Sequence, residues 1–179
     1  AMLGLNVAPG LSRLKFCCQR WPDFDEGVWN RVVEEAKAAR KTELPFPIFA
    51  RDVDPKAIFA TQANAAQAGV AEHIQTEVGR AELLPAPTAT PGVMLVNPPY
   101  GERLGADDDL VTLYRQLGAH WLTNYPGWQV HFLAGNLTLA RHLPLVASHK
   151  TKLFNGPLEC RLLSCPIGEP VPVRSSSGQ

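Results

Sequence analysis

The chain has 179 residues, 45% of them hydrophobic and 19% charged, and its 17 Lys and Arg balance 17 Asp and Glu. That length suffices for one domain with a sizeable core, and no apolar run approaches the ~20 residues of a membrane span. A neutral total does not advertise nucleic-acid binding, nor does it exclude it, because a local patch can hide within it.

Ala1 to Leu5 read as the end of a helix, broken by Ala8-Pro9-Gly10. After a linker at Trp21 to Phe24, Asp25 is placed to cap a helix running to about Lys41. Val28, Trp29, Val32, Val33 and Ala36 would form its apolar face. Residues 46–52, "FPIFARD", predict a short buried strand. Asp54 as N-cap, Pro55 at the first helical position and Gly69 beyond the last turn frame a second helix. Its expected apolar face is Ile58, Phe59, Ala63 and Ala66. Residues 73–78 predict a second strand, and residues 85–92 a proline-rich loop. A third buried strand, Val93 to Val96, stops at Asn97.

A helix from about residue 108 to 124 would carry Leu110, Leu113, Tyr114, Leu117 and Trp121 inward. Residues 128–135 predict a fourth strand, followed by a short helix. Asn155-Gly156 marks a hairpin between two strand-like runs. From Pro166 the chain turns polar, as a flexible tail does.

The cysteines are Cys17, Cys18, Cys160 and Cys165, adjacent in one pair and spaced C-x4-C in the other. Neither spacing is a zinc pattern, and the five histidines are scattered. No metal is expected. Free structural thiols in a reducing, cytoplasmic setting fit this usage.

Strands alternating with helices, then a hairpin, predict a parallel α/β sheet with one antiparallel strand near its edge. Ligands in such sheets bind beyond the carboxyl ends of the strands. Two of those ends carry unusual residues, Asp52 and Asn97. Asp52 can accept hydrogen bonds from a ribose diol; read alone, it can equally be a loop or capping acid.

The run Asn97-Pro98-Pro99-Tyr100 is more specific. An exocyclic amine on a base is a poor nucleophile, because its lone pair is delocalised into the ring. To be methylated it must be held in line with the methyl donor, and acceptors must draw on its N–H bonds as positive charge develops. The Asn97 amide oxygen is one such acceptor. The Pro98 carbonyl, aimed by the rigid proline pair, is a second. Tyr100 offers a face for an extruded base.

"LVNPPYGERLG" resembles the amino-methyltransferase motif of S-adenosylmethionine-dependent RNA methyltransferases. "FARDVDPKAIFATQANAAQAGV" and "FNGPLECRLL" resemble the preceding segment and the closing hairpin of the same group. Together they resemble the RlmL/RlmKL-type 23S ribosomal RNA guanine-N2 methyltransferases, over nearly all of residues 1–165. The resemblance implies a class I, Rossmann-like methyltransferase fold, S-adenosylmethionine as cofactor and ribosomal RNA as partner. Carried over on that basis, Asn97, Pro98, Pro99 and Tyr100 form the catalytic run, with Tyr100 stacking on the base. Asp52 holds the cofactor's ribose, and Asn97 also contacts its methionine end. Asn155 faces the substrate. Glu102 and Arg103 belong to the family's run without an assigned role.

Two departures from the pattern are expected to matter. Arg80 stands where the family carries an acid for the adenine amine, so Gly79 and Arg80 backbone groups or Glu82 would serve instead. The glycine-rich loop of the type D-P-x-C-G-S-G-T, with the first strand, does not occur in these 179 residues. Without that strand the sheet would show two unpaired edges. The expectation is therefore a partial catalytic domain at 1–165 and a tail at 166–179. A missing N-terminal segment or a partner chain would complete the sheet, and the chain alone would have weak or no activity; the alternatives are amine methylation of another substrate, DNA adenine or protein glutamine, and a non-catalytic binding or scaffold fragment.

Overall fold

The structure, a computed structural model, describes residues 1–13, 15–100 and 107–168. Glu102 and Arg103 lie outside the described residues, as does the expected tail from residue 169. The chain divides into two compact units, Ala1–Gly79 and a second beginning at Arg80.

The first unit opens on a helix ending. Val7 N–H reaches Met2 O at 2.9 Å and Asn6 N–H reaches Leu3 O at 3.1 Å, the paired bonds of a Schellman cap. Asn6 takes the left-handed position this cap requires, with φ of 54°. Leu5 is fully buried beside Ala65 and Val70 in a small core.

Helix α1 (Glu26–Ala38) starts where Asp25 accepts the Val28 N–H at 2.9 Å. It ends short of Lys41, whose N–H turns aside to the Leu5 carbonyl at 2.8 Å. Its expected apolar face is only partly inward. Trp29, Val33 and Ala36 are half-buried, whereas Val28 and Val32 are exposed. Trp29 packs against Phe16 and Phe24, with ring centroids 5.1 and 6.0 Å apart.

Strands β1 (Ile48–Asp52) and β2 (Ile74–Val78) pair in parallel, from Ile48 opposite Ile74 to Asp52 opposite Val78. Helix α2 (Pro55–Gln67) connects them. Asp54 caps it through the Lys56 N–H, and Gly69 at φ 66° closes it with Val70 N–H on Ala65 O at 2.9 Å. The inward stripe of α2 differs from the expected one. Ile58 and Ala65 are buried, with Thr61 and Ala68 half-buried, whereas Phe59, Ala63 and Ala66 are exposed. Ile58, Thr61, Ala65 and Ala68 follow one helical face. Phe59 lies one residue, about 100°, off that face.

The second unit is built on strand order β3-β4-β6-β5. Strands β3 (Val93–Val96) and β4 (Gln129–Ala134) are parallel, and β6 (Leu158–Pro166) runs antiparallel to both β4 and β5 (His149–Asn155). Along β4, Val130, Phe132 and Ala134 are fully buried, and their neighbours are half-buried. Helix α3 (Asp107–Asn124) places Leu110, Tyr114, Leu117 and Trp121 in the core, at steps of four, three and four. The Tyr114 and Trp121 rings meet Phe132 edge-on, at centroid distances of 5.2 and 6.3 Å. Burying each such ring stabilises the unit by about 1.5–3 kcal/mol. Helix α4 (Leu137–Ala140) is capped by the Asn136 side chain.

The strands thus fall into two sheets rather than one continuous sheet. Among the described residues, β1 pairs only with β2 and β3 only with β4. β3 is not the buried strand expected, because successive side chains point to opposite faces and only one of those faces is packed. Val93 is 69% and Leu95 74% exposed, whereas Met94 and Val96 are half-buried.

The hairpin is displaced by one residue from the Asn155-Gly156 expectation. Asn155 pairs with Leu158, so Gly156-Pro157 is the loop. Gly156 has φ of 60°, as the first position of a type II′ turn requires. At the end of β6, Pro166 is still in the strand and Ile167 is buried, its N–H bonded to Trp128 O at 2.8 Å. The order of the sheet thus reaches past residue 165.

Candidate functional site

The apolar strand β3 ends at Val96, and the chain leaves the sheet through Asn97. Asn97 is exposed, Pro98 buried, and Pro99 and Tyr100 half-buried. Two consecutive prolines remove two backbone donors and fix two φ angles, so the segment cannot rejoin a ladder.

Tyr100 folds back over this turn, and its hydroxyl donates to Asn97 Oδ1. An amide oxygen accepts two hydrogen bonds, so Asn97 keeps acceptor capacity for one more donor. The other partner of Tyr100 is Gly135, directly after β4. A Cβ on Gly135 would lie 2.8–2.9 Å from Tyr100 Cγ, Cδ1 and Cδ2. Near-equal distances to three adjacent ring carbons put that point over the ring face. Glycine therefore lets the ring lie against the backbone at the end of β4.

Tyr114 completes the arrangement from α3. It is fully buried, and its hydroxyl donates to the Pro99 carbonyl at 3.0 Å. Burial, and secondarily the neighbouring Tyr100, holds its phenol well above the usual range. It is a neutral donor throughout the pH range in which proteins work. Sequence reasoning placed Tyr114 in the core but missed its hydroxyl. The available signal was chemical, since a buried tyrosine needs a hydrogen-bond partner. Gly135 was also missed, although a glycine closing a strand often marks close backbone approach.

Asn155 stands at the same end of this sheet, exposed at the tip of β5. Three strand spacings and the four-residue overhang of β6 put it on the order of 20 Å from Asn97. Beside it, Glu159 bonds Lys152 at 2.5 Å and Arg161 at 2.6 Å. Those hydrogen bonds, Lys152 first, hold its carboxyl below the usual range. Arg80 is 62% exposed and pairs with Glu82 at 2.6 Å. Its guanidinium is thus engaged by the acid named as the alternative to it.

In the first unit, Asp52 ends β1 and is exposed. Its Oδ1 accepts the Asp54 N–H at 2.8 Å, and its carbonyl accepts the Gly79 N–H at 2.9 Å. Asp52 therefore shapes the turn into α2, while Asp54 caps the helix. The carboxylate retains lone pairs for a further donor. Among the described residues, no three His, Cys, Asp or Glu side chains converge as a metal site would need.

Parallel βα units, an antiparallel closing hairpin and this order of strands define a class I, Rossmann-like methyltransferase fold. Solved structures agree. SMU.472 complexed with SAH aligns at a TM-score of 0.84 with 29% identity, over 95% of this chain and 44% of that one. A protein from Clostridium difficile 630 described as a possible methylase aligns at 0.83 with 32% identity, over the same shares of 95% and 44%. Residues 1–164 match the family model UPF0020, RMKL-like, methyltransferase domain, and the chain belongs to this family. It is 39% identical over 165 residues to the ribosomal RNA large subunit methyltransferase K/L of Shewanella baltica, covering 89% of this chain. It spans only 23% of that relative's length.

Proposed function

We propose that this chain forms the amine-orienting part of an S-adenosylmethionine-dependent methyltransferase acting on N2 of a guanine in 23S ribosomal RNA. One observation carries the reading. The exposed amide of Asn97, a rigid proline pair and a ring seated on Gly135 come together at the carboxyl end of a parallel strand. The ribosomal RNA named for the Shewanella relative supports the substrate class.

In this reading the Asn97 oxygen and the Pro98 carbonyl accept the two N–H bonds of the guanine amine. They fix its direction and stabilise the positive charge that develops on nitrogen. Removing one such preorganised group costs about 10²–10³ in rate. The face of Tyr100 away from Gly135 stacks on the base, worth ~1–3 kcal/mol. The Tyr100 hydroxyl keeps the Asn97 oxygen, rather than its NH₂, toward the site. No strong base is needed, because the proton leaves a nitrogen already made acidic by methylation.

The cofactor, when bound, supplies an electrophilic methyl group. Asp52 fits its ribose, being an exposed carboxylate at a strand end with acceptor capacity left after Asp54. The Gly79–Arg80 backbone and Glu82 are the candidates for the adenine. The 179 residues hold no glycine-rich loop for the methionine end, beyond the contact assigned to Asn97. The reading therefore assigns the full reaction to a longer protein or an assembly, in the cytoplasm, with weak or no turnover by this chain alone.

The test is labelled-methyl transfer by the product of the full reading frame to unmethylated 23S RNA, DNA and a glutamine-bearing protein. Label in RNA is expected. Label in DNA adenine or in glutamine would move the same amine chemistry to another substrate. No label in any of them, from folded protein, would refute the reading.

A further inference from the structure

We propose that Tyr114 is a positioning residue for methyl transfer, its hydroxyl holding the Pro99 carbonyl and through it the direction of the Pro98 carbonyl and the seat of Tyr100. The inference rests on the amine-methylating reading above and adds a residue outside the Asn97–Tyr100 run.

Pro98 and Pro99 have no N–H, so the backbone of these two residues can hydrogen-bond only through its carbonyls. Tyr114 provides such a tie, at 3.0 Å. Pro99 lies between the two elements that must be aimed. On one side is the Pro98 carbonyl, the second acceptor for the amine. On the other is Tyr100, with its hydroxyl on Asn97 and its ring on Gly135. A rotation of the peptide after Pro99 would disturb Tyr100 directly and Asn97 through it.

Tyr114 is suited to this work because it cannot move easily itself. It is fully buried on α3, and its ring makes a T-shaped contact with that of Phe132, also fully buried, at a centroid distance of 5.2 Å. Phenylalanine would fill the same space without burying a hydroxyl. A buried hydroxyl costs stability unless it is bonded, and the bond to the reactive turn offsets that cost.

The experiment is Tyr114→Phe, which removes one oxygen and keeps the ring. In the full-reading-frame protein, kcat for RNA methylation is expected to fall about 10- to 100-fold, as for a sub-ångström misplacement of reacting groups. KM for RNA and cofactor affinity should stay within about twofold, because uniform binding is untouched. A merely structural role would lower the melting temperature without this split.

A second readout does not depend on activity. In this chain, labelled with ¹⁵N and ¹³C, the Pro99 carbonyl and Asn97 side-chain resonances should shift and broaden in Tyr114→Phe while the core resonances of α3 hold. Unchanged resonances, or wild-type kcat in the variant, would overturn the proposal. If wild-type protein methylates nothing yet the resonances broaden, the positioning stands and the methyltransferase reading fails.

Discussion

Replacing Gly135 by alanine is the sharpest perturbation available at this site, because the added atom has a known destination. The new methyl carbon would sit 2.8–2.9 Å from three carbons of the Tyr100 ring. Carbon atoms meet best at about 3.5–4.0 Å, so the ring must retreat by roughly 0.7 Å or more. That retreat lifts the Tyr100 hydroxyl from Asn97 and tilts the face offered to a base. Misplacement by ~1 Å costs on the order of 10²-fold in rate, so a fall in kcat of about 10- to 100-fold is expected. Overpacking itself destabilises by about 1–3 kcal/mol, less here because the ring is half-buried and can yield. Single-turnover methyl transfer measures the first quantity and urea unfolding the second. Gly135→Ser should behave as Gly135→Ala does, since the clash lies at Cβ. Near-wild-type turnover in both variants would refute the claim that the ring must lie against this backbone.

Asn97→Ala should reduce turnover by at least about 10²-fold while cofactor affinity, read by calorimetry, stays largely intact; a near-wild-type rate would remove Asn97 from the proposed mechanism. Asp52→Asn keeps the oxygen that accepts the Asp54 N–H, so the melting temperature should hold while cofactor affinity falls about tenfold; equal affinity would show that Asp52 serves only the turn. Burial raises the Tyr114 phenol and, against the opposing charge of Lys150, the Cys165 thiol. Both groups keep their protons longer folded than unfolded. Their contribution is therefore complete below the unfolded values, about 8.5 for a thiol and 10 for a phenol, and is lost as pH rises above them. Urea midpoints from pH 7 to 10.5 should decline accordingly, and less steeply in Cys165→Ala; identical slopes in both proteins would contradict this.

The elements with strong local punctuation were legible in the sequence. Asp25, Asp54 and Gly69 cap helices in the structure as their residue types dictate. Of the five residues expected inward on α3, four are buried and Leu113 is half-buried against the same core. In α2 the pattern was blurred by alanines, which bury or expose at little cost, and Phe59 was drawn inward by hydrophobicity alone although it is 73% exposed. The hairpin slipped by one because Asn-Gly is a strong type I′ signal, yet Gly-Pro satisfies a type II′ loop. Val93 and Leu95 share one face of β3, and whether a face is packed depends on the surrounding elements, which a four-residue run does not encode. At the site, the Asn97 run could be read from its chemistry. The supports could not, because Tyr114 and Gly135 lie 14 and 35 residues beyond Tyr100 and meet the run only through the β3–β4 pairing and the packing of α3.

The most direct test of the central claim is nucleoside analysis of RNA methylated by the full-reading-frame protein. Unmethylated 23S RNA would be incubated with cofactor, digested and resolved by mass spectrometry. The account predicts N2-methylguanosine, formed by wild-type protein and lost in Asn97→Ala. Methyl groups found only on another nucleoside or on ribose, or N2-methylguanosine formed equally by Asn97→Ala, would contradict it.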